Sequence, residues 1–176
     1  TDIRLCFPSV GATENILMAA VAAEGITRIY GAAREPEIQV LCRFLETLGA
    51  RIDGIGSGFL QVHGGRTLHD GEFTVPGDRI VAGTYLGAVM AAGGEVCLLD
   101  APTDHMAETL CAAQQAGCMI EQKENRLFAK MNGRPLAVNL ATGPYPEFST
   151  DLQSVMLAVS CVAQGESWIQ ENVFEE

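Results

Sequence analysis

Apolar positions fall into three similar blocks along the chain. Each block has a proline, a short polar link, a nearly all-apolar helical stretch, a glycine and a strand pattern, and the blocks begin at Pro8, Pro76 and Pro146. The spacing of about seventy residues is typical of a fold that repeats one structural unit. A helix that is apolar on most faces is expected to be buried on most faces. The pattern therefore predicts repeated βα units with an incomplete third copy.

Alternating and β-branched patterns predict the strands of the first block, and 3.6-residue periodicity predicts its helices. The first helix follows the turn 8–11 and is expected to end at Gly25, as a glycine cap would end it. The second is amphipathic, begins at Glu35-Pro-Glu37 and is closed by Gly49. The predicted strands are 4–7, 27–30, 51–54 and 59–63. The first block is thus predicted to have the order βαβαββ.

Residues 72–131 repeat this order, and residues 136–174 begin it again. The predicted elements of the second copy are strand 72–75, helix 80–92, strand 95–99, helix 105–116, strand 119–122 and strand 127–131. A polar, glycine-rich segment at 64–71 separates the first two copies and is typical of a boundary. We therefore predict one domain portion at 1–75 and another at 76–176.

Composition excludes several classes of protein. The net charge of −11 argues against nucleic-acid binding, which needs a basic face, and 48% hydrophobic residues are ample for a core. No apolar stretch reaches the roughly 20 residues of a bilayer span, so we expect a cytoplasmic protein without membrane contact. The six cysteines form no Cys-x-x-Cys pair and the three histidines have no ligand spacing. We expect buried thiols, no metal and no cofactor.

Several longer motifs occur in a defined order. They are Phe7-Pro-Ser-Val-Gly-Ala-Thr-Glu-Asn15, Ala32-Ala-Arg-Glu-Pro-Glu-Ile38, Pro76-Gly-Asp-Arg-Ile80, Gly83-Thr84 and Tyr145-Pro-Glu-Phe-Ser-Thr-Asp-Leu-Gln153. Over its whole length the chain resembles the UDP-N-acetylglucosamine enolpyruvyl transferases. This resemblance implies an α/β (α+β) fold, an inside-out barrel of βαβαββ units that is incomplete here, with substrates in a cleft between two domains. Residues 1–75 would be the last unit of one domain, and residues 76–176 the first one and a half units of the other.

The resemblance also implies the reaction. Enolpyruvate would pass from phosphoenolpyruvate to the 3-hydroxyl of UDP-N-acetylglucosamine through a tetrahedral intermediate, with loss of phosphate, in peptidoglycan precursor synthesis. The family's cysteine loop, Lys-Asn pair and clamping arginines match nothing in this chain, so the chain alone is expected to be inactive and to bind substrate weakly. Two alternatives stay open: a 5-enolpyruvylshikimate-3-phosphate synthase-like enzyme and a non-catalytic nucleotide-sugar-binding module. Exposed sheet edges make self-association possible.

The candidate catalytic residue is Asp151. Thr150 and Gln153 have capping-box spacing, which places Asp151 in the first helical turn, where a carboxylate complements the helix dipole. By the resemblance, Asp151 binds the sugar 3-hydroxyl and acts as the base. Two residues depart from the family pattern beside it, because Glu147 and Ser149 stand where the family has Gly and Pro. Ser149 is expected to free the loop from a fixed φ.

The other candidate substrate-binding residues lie at two places. Ser9, Val10 and Gly11 occupy a strand-to-helix junction, where an N-cap and turn are expected and where exposed N–H groups can also receive a phosphate. The resemblance assigns these residues to the uridine-diphosphate site. Val173 and Phe174 are predicted to end a strand and to pack in the core, whereas the resemblance implies that they flank the nucleotide.

Overall fold

The chain folds as two compact units with separate cores. A computed structural model describes residues 1–174, so residues 175 and 176 of the second predicted portion lie outside the described chain. The first unit is Thr1–Val75, and the second begins at Pro76. One cluster of buried residues lies wholly within the first unit and another wholly within the second. Each unit therefore has a hydrophobic core of its own.

The first unit has the predicted order βαβαββ. Its elements are β1 (Asp2–Arg4), α1 (Val10–Ala22), β2 (Gly25–Tyr30), α2 (Pro36–Thr47), β3 (Arg51–Asp53) and β4 (Phe59–Gly64). The sheet order is β1-β2-β4-β3, in which β1 runs parallel to β2 and β4 runs antiparallel to both of its neighbours. Leu60 and Val62 alternate with more exposed residues along β4 and are buried. Together with Leu17 of α1 and Ile38 of α2 they belong to the core of this unit.

Two predicted boundaries in the first unit are wrong. Strand β1 lies at Asp2–Arg4 rather than at 4–7. Helix α1 ends at Ala22 because Ala23 is already extended, with φ −78° and ψ 148°. Gly25 has φ +87° and opens β2, so it starts a strand and does not cap the helix. The start of α2 is confirmed, since Pro36 is its first residue.

The segment 72–75 is not a strand, which corrects the prediction. The chain before it is held against the C-terminal end of α2, where the His69 N–H donates to the Leu48 carbonyl at 2.9 Å. Phe73 continues along this helix, with its ring 5.7 Å from that of Phe44. Val75 is 79% exposed. These contacts with α2 replace the strand pairing that the apolar pattern predicts.

The second unit contains the next copy without its first strand, followed by the start of a third copy. The elements are α3 (Arg79–Ala92), β5 (Gly94–Leu99), α4 (Ala107–Gln115), β6 (Met119–Lys123), β7 (Arg126–Met131), β8 (Leu140–Ala141), α5 (Gln153–Val162) and β9 (Ile169–Gln170). Strands β5, β7 and β6 form an antiparallel sheet in that order, and β8 pairs with β9 in parallel. Helix α4 begins later than predicted because Thr103–His105 form a 3-10 turn. The strand-helix-strand start of the third copy is confirmed.

The predicted burial of the apolar helices on most faces is wrong for the described chain. In α1 the buried residues are Thr13, Leu17, Ala20 and Val21, whereas Met18 is half exposed. Tyr85 of α3 and Leu157 of α5 are each 55% exposed. The neighbouring elements of each unit leave these positions uncovered. Among residues 1–174, no helix combines the length and hydrophobicity that a bilayer span requires.

Candidate functional site

The first candidate site is the start of α1. Ser9 is the N-cap, and its Oγ accepts the Ala12 N–H at 3.3 Å, so the expected capping role is confirmed. Ser9 and Gly11 are exposed, and a Cβ added at Gly11 would meet no heavy atom within 4 Å. The first amides of a helix lack intrahelical acceptors, and the helix dipole favours negative charge at this end. The turn thus presents backbone donors on an open surface.

A buried threonine fixes this turn. The Thr13 side chain is fully buried, and its Oγ1 donates to the Ser9 carbonyl at 2.8 Å. The same oxygen accepts the Ala33 N–H at 3.0 Å, which ties the turn before α1 to the loop after β2. Arg34 is exposed on that loop. The motif at residues 32–38 therefore lies beside the motif at residues 7–15, because the Thr13 hydroxyl bonds to the backbone of both.

Asp151 lies in a short 3-10 helix, Thr150–Leu152, that leads directly into α5. Its side chain is exposed, so it can meet a ligand from solvent. Ser149 caps the 3-10 helix, and its Oγ accepts the Asp151 N–H and donates to Asp151 Oδ2, both at 3.3 Å. The predicted place near a helix start is confirmed. The carboxylate is held there by the serine two residues before it.

Two local predictions about this turn are wrong. Thr150 does not form a capping box with Gln153, because its Oγ1 donates to Glu171 Oε2 at 2.8 Å. Ser149 does not release the backbone from a proline-like conformation, since it has φ −66° and ψ 130°. It is buried and reproduces the φ that proline would impose. The serine hydroxyl adds contacts to Asp151 that a proline could not make.

Val173 and Phe174 are not at the end of a strand. Strand β9 stops at Gln170, and the two residues follow it in irregular backbone. Phe174 is 65% exposed, so core packing is wrong for its side chain. The backbone is nevertheless fixed, because Glu171 Oε1 accepts the Val173 N–H at 2.7 Å and the Phe174 N–H at 3.2 Å. The exposed phenyl group is thus carried on an anchored backbone.

Glu171 links the residues of the second unit that the sequence singles out. Its Oε2 accepts the hydroxyl of Thr150, the residue before Asp151, and its Oε1 accepts the N–H groups of Val173 and Phe174. Sequence reasoning missed this glutamate, because nothing in the spacing of one acid in Gln170-Glu-Asn-Val-Phe174 sets it apart from a surface acid.

The structure places Ser9, Val10 and Gly11 in the first unit, and Asp151, Val173 and Phe174 in the second. Within the second unit, the Glu171 carboxylate joins Thr150, the residue before Asp151, to the Val173-Phe174 segment. Sequence spacing could not indicate this link, since more than twenty residues separate the two candidates.

A small cleft of about 110 Å³ lies next to Ser149. Within it His105 Nδ1 is 3.1 Å from the Tyr145 hydroxyl, and the Arg79 guanidinium carbon is 5.8 Å from the centre of the Tyr145 ring. That separation suits a cation–π contact. Arg79 and His105 therefore both lie against Tyr145, in the loop that leads to Asp151.

The prediction that all six cysteines are buried is wrong. Cys42 and Cys118 are buried, while four others are exposed: Cys6, Cys97, Cys111 and Cys161. Burial, with a smaller contribution from Glu46, raises the pKa of the Cys42 thiol to about 11. Burial also raises the pKa of Cys118. Cys97, Cys111 and Cys161 lie on solvent-facing positions of β5, α4 and α5, and Cys6 lies in the bend that follows β1.

The fold is that of the enolpyruvyl transferases. The crystal structure of the enolpyruvyl transferase NikO from Streptomyces tendae matches with a TM-score of 0.79, over 97% of this chain and 41% of that one. The two sequences are 22% identical, so this likeness defines the fold alone. It confirms the mixed α/β architecture with βαβαββ units that the sequence predicts.

The chain belongs to the family of EPSP synthase (3-phosphoshikimate 1-carboxyvinyltransferase), whose family model matches residues 1–176. It is 44% identical over 174 residues to the UDP-N-acetylglucosamine 1-carboxyvinyltransferase of Mycobacterium leprae, covering 99% of this chain and 42% of that protein. The protein of the same name from Nocardia farcinica is 47% identical over 173 residues, covering 98% of this chain and 41% of its own length. The chain thus spans about two fifths of these curated relatives.

Proposed function

We propose that this chain is part of an enolpyruvyl transferase that moves enolpyruvate from phosphoenolpyruvate to the 3-hydroxyl of UDP-N-acetylglucosamine. The observation that carries the proposal is the 44% identity over 99% of the chain to a relative named for the corresponding 1-carboxyvinyl transfer. Peptidoglycan precursor synthesis in the cytoplasm is the process that this activity would serve. No cofactor is required in this proposal.

Asp151 is the proposed catalytic residue. Its exposed carboxylate can accept a hydrogen bond from the sugar 3-hydroxyl, and Ser149 restrains Oδ2 through a hydrogen bond. The hydroxyl proton would move to the carboxylate only as the hydroxyl oxygen forms its bond to the enolpyruvyl carbon, because a carboxylate is a weak base toward a neutral alcohol. The carbon–carbon double bond of phosphoenolpyruvate opens as this bond forms, and its methylene carbon takes up a proton to give the tetrahedral intermediate. Loss of phosphate from this intermediate, together with loss of a proton from the new methyl group, restores the double bond in the enolpyruvyl product.

The proposed substrate-binding residues contact two parts of the acceptor, its diphosphate and its nucleotide. Ser9, Val10 and Gly11 form the turn at the start of α1, and the first helical amides at Val10 and Gly11 suit a diphosphate, since a helix N-terminus attracts anions. The Ser9 N–H itself donates to the Phe7 carbonyl at 2.8 Å. Val173 and Phe174 would flank the nucleotide, for which the exposed Phe174 ring offers an apolar surface. The net charge of −11 implies that most of the substrate charge is met by backbone donors or by cations elsewhere in a longer protein.

The two units are proposed to belong to different domains of this longer enzyme. Residues 1–75 would be the last βαβαββ unit of one domain, and residues 76–176 the first one and a half units of the other. Exposed apolar side chains on the unit helices, such as Met18, Tyr85 and Leu157, support the proposal. Further units of the same kind would cover these faces, as burial of apolar area requires.

The test is acceptor specificity. A protein that carries this chain together with the remaining units would be incubated with phosphoenolpyruvate and either UDP-N-acetylglucosamine or shikimate 3-phosphate, and phosphate release measured. Release with the nucleotide sugar alone supports the proposal. Release with shikimate 3-phosphate alone favours the alternative enzyme, and binding of the nucleotide sugar without release favours a non-catalytic module.

The isolated chain should bind UDP-N-acetylglucosamine weakly or undetectably by calorimetry, and micromolar affinity would contradict this.

Asp151→Ala in the longer protein should lose most turnover, at least about a hundredfold, because general acid–base groups contribute 10²–10⁴-fold. The fold should persist, since Asp151 is exposed. Glu166→Ala is the matched control, an exposed acid that lies outside the proposed site. Turnover near the wild-type level in Asp151→Ala would remove this residue from the mechanism.

A further inference from the structure

The side chain of Glu171 bonds to three separate parts of the second unit. Its Oε1 accepts the Thr142 hydroxyl at 2.8 Å, beside β8, and the Val173 N–H at 2.7 Å. Its Oε2 accepts the Thr150 hydroxyl at 2.8 Å. Hydrogen bonds to an ionised acceptor are shorter and stronger than those between neutral groups. One carboxylate therefore fixes the end of β8, the turn before Asp151 and the segment after β9.

Supporting contacts anchor the glutamate itself. Thr142 is fully buried, and its Oγ1 also accepts the Asn172 N–H at 3.0 Å. The Asn172 side-chain amide donates to the Thr142 carbonyl at 3.0 Å. The backbone on both sides of Glu171 is thus attached to a residue that cannot move without disturbing the core.

We propose that Glu171 is a positioning residue for the nucleotide-sugar acceptor: it sets the distance between Asp151 and the Val173-Phe174 segment through hydrogen bonds to Thr150 and to the two backbone N–H groups. The inference rests on the proposed function, since it assumes that these residues meet the same substrate. Glu171 does not touch the reacting atoms. It acts by keeping Asp151 and the Val173-Phe174 segment at the separation that the acceptor requires.

The ionisation of Glu171 is consistent with this role. Burial raises its pKa, but donors from Val173, Thr142, Thr150 and Phe174 together outweigh burial and lower it below the ordinary range for glutamate. A lowered pKa in the folded state means that the carboxylate stays charged at neutral pH and stabilises the fold there. This stabilisation is lost as pH falls through the folded-state pKa.

The kinetic test compares Glu171→Ala, Glu171→Gln and Glu166→Ala in the longer protein. Glu171→Ala should raise KM for UDP-N-acetylglucosamine at least about tenfold, since hydrogen bonds to charged groups are lost, and change KM for phosphoenolpyruvate less than about twofold. Gln retains one oxygen for the Oε1 donors, so it should recover most of this loss. The Glu166→Ala control should match wild type. Equal changes in both KM values, or a wild-type acceptor KM in Glu171→Ala, would overturn the proposal.

Thr150→Val provides a second variant if Glu171→Ala does not fold. It is nearly isosteric and removes only the bond to Oε2, so the acceptor KM should rise about three- to tenfold, and the thermal midpoint should fall less than in Glu171→Ala, which loses every bond to the carboxylate. An acceptor KM at the wild-type level in Thr150→Val would count against the proposal.

Hydrogen exchange on the chain itself gives a readout that does not require activity. The Val173 and Phe174 amides should exchange at least about tenfold faster in Glu171→Ala and within about threefold of wild type in Glu171→Gln. Unchanged exchange in Glu171→Ala would overturn the positioning role even if the enzyme is active. If the wild-type longer protein releases no phosphate with UDP-N-acetylglucosamine, the proposed function fails. Hydrogen exchange at Val173 and Phe174 would still show whether Glu171 holds this segment in place.

Discussion

At the scale of single residues, the backbone conformation of Ser149 shows how one position can meet two demands. Its φ of −66° is the value that proline imposes, yet its hydroxyl also bonds to Asp151. Serine can adopt the φ that proline would impose, so the turn keeps its conformation despite this departure from the family pattern.

Ser149→Pro and Ser149→Ala should therefore differ in stability. Ser149→Ala loses the capping oxygen and should reduce the free energy of unfolding by about 0.5–1 kcal/mol. Ser149→Pro loses the same oxygen but restricts the unfolded chain at a compatible φ, which contributes roughly 0.4–1 kcal/mol and offsets the loss. Chemical denaturation would measure both. Equal destabilisation by the two substitutions would contradict this account of the turn.

Thiol reactivity should separate the six cysteines into two groups. Because burial raises the pKa of Cys42 to about 11, almost none of it is thiolate at pH 8, and burial disfavours the Cys118 thiolate in the same direction. A disulfide reagent should modify the four exposed cysteines of the native chain quickly, and the other two only after unfolding. Mass mapping of the labelled peptides would check this. Fast labelling of Cys42 in the native protein would be inconsistent with the described core.

At the scale of helices and strands, the contact between α3 and α5 depends on glycine. A Cβ at Gly83 would come within 2.5 Å of Leu152 Cδ1, and a Cβ at Gly87 would overlap Val155 Cγ1. Valine is branched at Cβ and has few alternative rotamers, so it cannot easily move aside. The two helices can thus approach this closely only because Gly87 has no side chain.

Gly87→Ala should destabilise the second unit. The gain in helix propensity, about 1 kcal/mol, is outweighed by overpacking of roughly 1–3 kcal/mol, so we expect a net loss on the order of 1 kcal/mol. Gly11→Ala is the matched control, because its Cβ would enter open space in α1 and should leave stability unchanged or slightly higher. Thermal unfolding would compare the two. A Gly87→Ala protein at least as stable as wild type would show that the helices separate without cost.

At the scale of the whole molecule, sheet edges and net charge have opposite effects on self-association. Strands β5 and β6 are the edges of their sheet, and Leu99 at the end of β5 is 63% exposed. Edges of this kind can pair with another chain, but a net charge of −11 on every copy repels such contacts.

Self-association of the chain should therefore increase with salt. Screening shortens the range of repulsion from about 30 Å at 0.01 M to about 8 Å at 0.15 M ionic strength. Sedimentation velocity should show mainly monomer at low salt and a growing dimer fraction at high salt and high protein concentration. Charge-reduced Glu95→Gln, on the edge strand β5, should shift this transition to lower salt. A monomer under all of these conditions would contradict the prediction.

The sequence by itself determined the βαβαββ order of the first unit and most element positions of the second, because apolar periodicity and glycine or proline breaks are local signals. Local spacing placed Asp151 and the Ser9 turn at helix starts, and the resemblance carried by their motifs made them candidate site residues. Tertiary structure alone decided that residues 72–75 form no strand and that Phe73 packs on α2, because a strand needs a partner that the local pattern cannot supply. It also decided that Glu171 holds Thr150, Val173 and Phe174 together. Hydrogen bonds between residues distant in sequence depend on how the elements pack, and the periodicity of the sequence carries no record of that.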